Sequence, residues 1–244
     1  MLNEQTITKM QSIRLSGMAH MFKELIENPK RTDLTHEEFV GLLVDAEITA
    51  RENRKLQRLL NNAHLKQNAC IEDIDYTSHR GLNKQLILEL SNCDWLKHHQ
   101  NVLISGPTGV GKTYIVCALG DTACKNGYSV FYIRAPKLFN TMLQARGDGS
   151  YLKLLNKLSK FGLLIIDDIG QPMSDMDRKD LLEVIEERYM DSATVVASQV
   201  PIKEWYQVIG EPTIADAICD RLMHNAYKIE LKGESLRKKR KEEK

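Results

Sequence analysis

The stretch Gly106-Pro107-Thr108-Gly109-Val110-Gly111-Lys112-Thr113 fits the pattern G-x-x-x-x-G-K-[ST] at every fixed position, and those residue types suit the binding of a polyphosphate. Glycines let backbone N–H groups close around phosphate oxygens, and a helix N-terminus adds partial positive charge. Lys112 is then expected to reach the β and γ phosphates of a nucleotide, and Thr113 to place its hydroxyl on Mg²⁺. Downstream, Asp167 and Asp168 close the apolar run Leu163-Leu164-Ile165-Ile166. Asp167 suits the metal, opposite Thr113, while Asp168 is expected to orient or deprotonate an attacking water. Together they suggest hydrolysis. The plain alternative, an acidic turn after a buried strand, is disfavoured by the glycine-rich loop upstream.

Three further sets of residues are candidates. Gln199, at the end of a later apolar run, is expected near the γ-phosphate or its water, with a simple turn before Pro201 as the alternative. Arg221 suits stabilisation of transition-state charge on a neighbouring subunit's nucleotide, which would make activity depend on assembly; a local ion pair with Asp216, Asp220 or Glu211 is the competing reading. Arg51, Arg54, Lys55 and Arg58 fall at i, i+3, i+4 and i+7 of a helical pattern, so they share a face that would track a phosphate backbone, or else a solvated face partly offset by Glu47 and Glu52.

These groups need elements to hold them. Asn101-Val102-Leu103-Ile104-Ser105 before the loop reads as a strand, and Tyr114 to Ala123 as a helix opening at the lysine. Four more apolar runs, Ser129 to Ile133, Leu163 to Asp167, Thr194 to Ser198 and Tyr227 to Leu231, alternate with helical patterns. This predicts an α/β fold with a five-stranded parallel sheet flanked by helices, and a parallel sheet brings the carboxyl ends of its strands to one edge. Thr213 to Leu222 reads as a helix with Ile214, Ala217, Ile218 and Leu222 inward.

The N-terminal part predicts a small all-helical domain. One helix is expected over residues 6 to 27, ending near Asn28-Pro29, and a second from Thr35 to about Leu65. Thr35 and Glu38 have the capping-box spacing, and Phe39, Leu42, Leu43, Ala46 and Ala50 give an apolar face. Residues 71 to 76 read as an extended linker and Asn83 to Leu90 as a helix. The expected division is therefore 1–69 helical, 70–235 nucleotide-binding and 236–244 a basic flexible tail.

With 244 residues, 42% of them apolar, the chain can bury one substantial core with a small appendage. A formal charge of +1 leaves affinity for nucleic acid to local patches, such as the run Arg237-Lys238-Lys239-Arg240-Lys241. Such patches read charge and not bases. Five cysteines, odd in number and without a C-x-x-C pair, argue against a disulfide framework and a zinc site and for a reducing cytoplasm. No run of about 18 apolar residues or basic-then-apolar leader is present, so neither a membrane partner nor export is expected.

From about residue 70 to 240 the chain resembles the AAA+ ATPases of the IstB type, helpers of insertion-sequence transposition, and more distantly the DnaC-type helicase loaders. The resemblance is carried by Gly106 to Thr113, Leu163 to Gly170, Ser198-Gln199-Val200-Pro201, Pro212 to Ala217, Asp220 to Ala226 and Lys232 to Lys239. It implies an AAA+ P-loop NTPase fold with ATP and Mg²⁺ as cofactors. Lys112, Thr113, Asp167 and Asp168 would form the ATP site, Gln199 would take the sensor position, Arg221 that of the trans-acting arginine and Arg237 that of a second sensor. Gln199 stands where many AAA+ proteins carry Asn, and Asp168 where many carry Glu, so slow, assembly-dependent hydrolysis is expected. The resemblance also implies N-terminal helices that assemble protomers and contact DNA or a partner.

The reading these features favour is an ATPase that forms a homo-oligomer on duplex DNA without regard to sequence, and recruits or stimulates the transposase of the same element, with hydrolysis resetting the assembly. The alternative from another class is a DnaC-like replicative helicase loader. A small-molecule kinase ranks last, because no arginine-rich lid pattern follows Asp168.

Overall fold

In the computed structural model the described residues are 2–27, 34–76 and 80–236. The expected helix end at Asn28-Pro29, Arg237 and the rest of the basic tail lie outside them. Internal contacts divide the chain into two compact units, residues 1–58 and 59–244.

In the first unit, the helix expected over 6–27 is two helices, α1 (Leu2–Ser12) and α2 (Ser16–Glu27). The break has a local cause. Arg14 adopts φ +63°, and the Leu15 N–H bonds back to the Met10 carbonyl at 2.8 Å. The new N-terminus is then met by a carboxylate, since Glu47 accepts from the Gly17 N–H at 2.7 Å and the Met18 N–H at 3.3 Å. A buried anion at the positive end of α2 stabilises the restart. Gly17 is required there, because a Cβ would lie 2.4 Å from the Ala46 carbonyl oxygen. Glu47 belongs to α3 (His36–Ala63), which the Thr35–Glu38 box caps in both directions, at 2.8 and 3.2 Å.

The second unit is built on a sheet of order β2-β3-β4-β1-β5, every pairing parallel. Its helices α4 (Lys84–Ser91), capped by the Asn83 side chain, and α5 (Asp94–Lys97) lead into β1 (Asn101–Ser105). Then α6 (Lys112–Lys125), β2 (Val130–Arg134), α7 (Ala135–Asp148), α8 (Tyr151–Ser159) and β3 (Leu163–Ile169) follow. The chain continues through α9 (Asp175–Glu186), β4 (Ala193–Ser198), α10 (Trp205–Ile209), α11 (Pro212–Met223) and β5 (Ala226–Glu230). Strands β1 and β4 are buried along their whole length, as sheets covered on both faces require.

Two further expectations are corrected. Residues 71–76 are not extended throughout: the Ile74 N–H bonds to the Ile71 carbonyl at 3.2 Å and both side chains are buried, so the segment opens with a turn anchored in the core. The inward face of α11 is Ala215, Ile218, Cys219 and Leu222, with Ile214 and Ala217 only half-buried. A row at i, i+3, i+4 and i+7 fits a helix stripe one residue on from the expected one. The five cysteines are all free.

Candidate nucleotide site

Because the strands run parallel, the carboxyl ends of β1, β3 and β4 share one edge, and the loop 106–111 rises from the first of them. Three of its glycines have positive φ, Gly106 at 147°, Gly109 at 87° and Gly111 at 101°. Gly106 is also pressed against the chain that follows β5, since a Cβ there would sit 2.3 Å from the Leu231 carbonyl oxygen. With Gly111 left-handed and α6 opening at Lys112, the first N–H groups of the helix are left for a ligand. Lys112 is buried and its Nζ donates to the carbonyls of Gly106, at 2.5 Å, and Pro107, at 2.8 Å. The ammonium thus lies inside the curve of the loop.

Thr113 and Asp167 are brought together: Oγ1 donates to Oδ2 at 2.8 Å. Asp167 is almost fully buried and takes a second bond on the same oxygen from the Tyr132 hydroxyl, at 2.7 Å. Burial and this carboxylate together push the Tyr132 phenol up, so it stays a donor. A hydroxyl and a carboxylate at this spacing are hard oxygen donors of the kind Mg²⁺ takes.

Asp168 would point to the opposite face of the sheet from Asp167 if the strand stayed regular. It does not. Asp168 adopts φ +68°, and the pairing of β3 with β4 shifts register between Ile166 and Ile169. Both carboxylates therefore line one cavity of about 910 Å³. There Arg134 Nη2 reaches Asp168 Oδ2 at 2.5 Å and Gln199 Nε2 donates to its Oδ1 at 2.8 Å. Gln199 Oε1 accepts in turn from Thr108 of the loop at 2.8 Å. Burial pushes the Asp168 carboxyl up, but the bonds from Arg134 and Gln199 hold it below the ordinary carboxylate range.

Arg134, Tyr132 and Arg80 were not singled out from the sequence. The first two had a signal, since β2 lies beside β3 and its carboxyl end shares the site's edge. Arg80 had none: it comes from an irregular segment and is buried beside the loop, its Nη1 donating to the Val110 carbonyl at 3.1 Å and its Nη2 to that of Asp75.

Arg221 is elsewhere. It pairs with Glu186 at 2.9 Å, not with Asp216, Asp220 or Glu211, and lines a separate cavity of about 390 Å³ with Asn101 and Thr194, at the opposite ends of the strands. Arg51 and Arg54 bond to Glu47 at 2.8 and 3.2 Å, while Lys55 and Arg58 are exposed.

The pattern of the IstB-like ATP binding proteins matches residues 8–244. The chain belongs to that family. A relative within it, y4pL of Sinorhizobium fredii, assigned to the ATP-binding proteins of insertion sequences, is 46% identical over 239 residues, covering 98% of either chain. Among solved structures, the fold is similar to the DnaC helicase loader (TM-score 0.58, 17% identical, 67% of this chain and 97% of that one). It is also similar to AMPPCP-bound DnaA from Aquifex aeolicus (TM-score 0.59, 20% identical, 74% and 56%). The family member thus has the AAA+ P-loop fold that its loop and sheet order indicate, with N-terminal helices in front. Among its described residues no helix is long and apolar enough to cross a membrane.

Proposed function

We propose that this protein is an ATPase that uses ATP as an assembly switch in transposition. The carrying observation is the line from Thr108 through Gln199 to Asp168, which ties the glycine-rich loop to the carboxylate that this reading assigns to the attacking water. In this reading Gly106, Pro107, Thr108, Gly109, Val110 and Gly111 wrap the phosphates with backbone N–H groups, and Lys112 turns from the carbonyls it now holds to the β and γ oxygens. Thr113 and Asp167 would hold Mg²⁺. The ion, when bound, neutralises charge developing on the transferred phosphoryl group.

Asp168 orients the attacking water. Both of its oxygens are already engaged, by Arg134 and Gln199, which supports slow basal turnover until the site is rearranged. Arg221 faces away from its own chain's cavity, which supports a role at a neighbouring protomer's γ-phosphate. Nucleotide between protomers would then have differential affinity for the assembled state, the requirement for a switch. The assembly binds duplex DNA through charge and recruits or stimulates the transposase of its element; the name borne by y4pL supports that setting. Residues 1–69 assemble protomers and contact DNA or a partner, 70–235 bind nucleotide, and the tail with Arg237 contributes positive charge. Five free cysteines support a reducing cytoplasm.

The test is sedimentation of the full chain with duplex DNA, with and without ATP. ATP-dependent oligomers on duplex that are lost in Lys112→Ala and Arg221→Ala support the reading; wild type that stays monomeric and unbound in ATP overturns it. Likeness to the DnaC helicase loader favours one rival, a helicase loader. A stoichiometric complex with a hexameric helicase and no response to the transposase would select it.

A further inference from the structure

We propose that Arg80 is a positioning residue for phosphate binding: by holding the Val110 carbonyl on the outside of the glycine-rich loop, it aims the Gly111 N–H at the phosphates. The peptide between Val110 and Gly111 is planar and trans, so its C=O and N–H point in opposite directions. Whatever fixes one fixes the other. Arg80 is 6% exposed, and its Nη1 donates to the Val110 carbonyl at 3.1 Å. Its Nη2 donates to the Asp75 carbonyl, so the planar fork cannot swing off the loop without giving up a second bond. Gly111 completes the fit. It turns left-handed at φ +101°, and a Cβ there would lie 2.7 Å from Arg80 Nη1, so only glycine lets the guanidinium come this close.

The preceding carbonyl of the loop is tied as well. Gly109 accepts from the Leu236 N–H at 3.0 Å, which turns the Val110 N–H the opposite way. Two successive carbonyls held from outside leave two successive N–H groups for the inside, the arrangement of an anion-binding nest. The arm that carries Arg80 is itself anchored, because the Lys232 N–H, just beyond β5, bonds to the Arg80 carbonyl at 2.8 Å. The sheet therefore sets the guanidinium in place before a nucleotide arrives, and donors held in advance need no ordering when the anion binds. Lys112 differs, since it must first leave the carbonyls of Gly106 and Pro107. Arg80 also lines the nucleotide cavity, so direct contact with the base or sugar is the rival role. The two roles serve different parts of the nucleotide.

This role rests on the phosphate-binding part of the function proposed above, and not on assembly, DNA or the transposase. The test uses the full chain in EDTA as wild type, Arg80→Met and Arg80→Lys, with Kd for ATP and for inorganic tripolyphosphate measured by calorimetry and the fold followed by urea unfolding. Arg80→Met should weaken both ligands by the same factor, about tenfold or more, as expected when one donor to a charged group is no longer aimed. Arg80→Lys keeps the charge but not the fork, and should weaken both by at least about threefold. In protein isotope-labelled at glycine, tripolyphosphate should move the Gly111 amide resonance downfield in the wild type and leave it nearly unmoved in Arg80→Met. A general loss of stability would not give that signature. Weaker ATP with unchanged tripolyphosphate would assign Arg80 to the base or sugar and overturn the proposal. Wild-type affinities in Arg80→Lys would reduce its role to charge and overturn it too; should Arg80→Met not fold, this variant decides alone. A wild type that binds neither ligand overturns this role together with the ATP switch, whereas loss of assembly alone overturns only the switch.

Discussion

Arg134 and Asp168 meet across the carboxyl edge of two adjacent parallel strands, guanidinium nitrogen to carboxylate oxygen at 2.5 Å. The pair holds the carboxyl group expected to act on water in its charged form, and it occupies one of the two oxygens that group has. Arg134→Ala should therefore raise the pKa of Asp168. The acid limb of the ATPase pH profile is expected to move to higher pH, with Arg134→Lys intermediate. An unchanged limb would separate the ion pair from catalysis.

Thr113 and Tyr132 converge on one oxygen of Asp167. Asp167→Asn keeps the shape and removes the charge, so the loss should fall on Mg²⁺-dependent nucleotide binding, by about 2 kcal/mol or roughly thirtyfold in Kd. Binding measured in EDTA should change far less. Tyr132→Phe tests the other bond; it leaves nucleotide affinity near wild type and lowers stability by about 1 kcal/mol in urea unfolding.

Glu47 is buried, accepts two backbone N–H groups and two guanidinium groups, and is held below the ordinary carboxylate range chiefly by Arg51, against burial. A carboxyl whose folded pKa is depressed stabilises above its unfolded value, about 4.3, and that stabilisation is lost as pH falls through the folded value. Unfolding of the N-terminal helices, followed by circular dichroism, should thus become easier as pH drops below about 4. Glu47→Gln should flatten that dependence, and Glu47→Ala should cost about 2 kcal/mol, since it leaves two N–H groups of a helix N-terminus unpaired while the exposed Arg51 and Arg54 are taken up by water.

Arg188 is 1% exposed and has no carboxylate partner among the described residues; its guanidinium donates to Thr194 Oγ1 and to the carbonyls of Leu158, Ser159, Phe161 and Ala193. It ties the end of α8 to the start of β4. Burial pulls its pKa down to about 9. Arg188→Ala would leave those carbonyls unpaired in the core and should cost about 3 kcal/mol or more in chemical unfolding, with Lys recovering only part. A loss under about 1 kcal/mol would mean that water replaces the side chain.

Much of the nucleotide site was legible because its chemistry is local in sequence. A loop of eight residues and two adjacent aspartates announce themselves, and alternating apolar runs imply the parallel sheet that sets both on one edge. Asp168 shows where that reasoning stops. Strand alternation puts it on the wrong face, and only the left-handed backbone at φ +68° and the shifted register bring it beside Asp167. Arg80 reaches the cavity from a segment whose own residues carry no pattern, and Arg134 from the end of β2, whose place beside β3 the apolar run alone does not give. The helix break at Arg14 was equally hidden, because the carboxylate that receives the new N-terminus, Glu47, stands 30 residues along the chain from Gly17.

The amino-acid sequence by itself determined the element types, the parallel sheet and the position of the glycine-rich loop, since periodicity and glycine placement act over a few residues. Tertiary structure decided which side chains meet: Arg134 with Asp168, Arg221 with Glu186 rather than its helix neighbours, and Glu47 with the Gly17 and Met18 N–H groups of α2. Ion pairs and buried hydrogen bonds depend on distances of a few ångströms between distant segments, and packing of the whole core is what sets those distances.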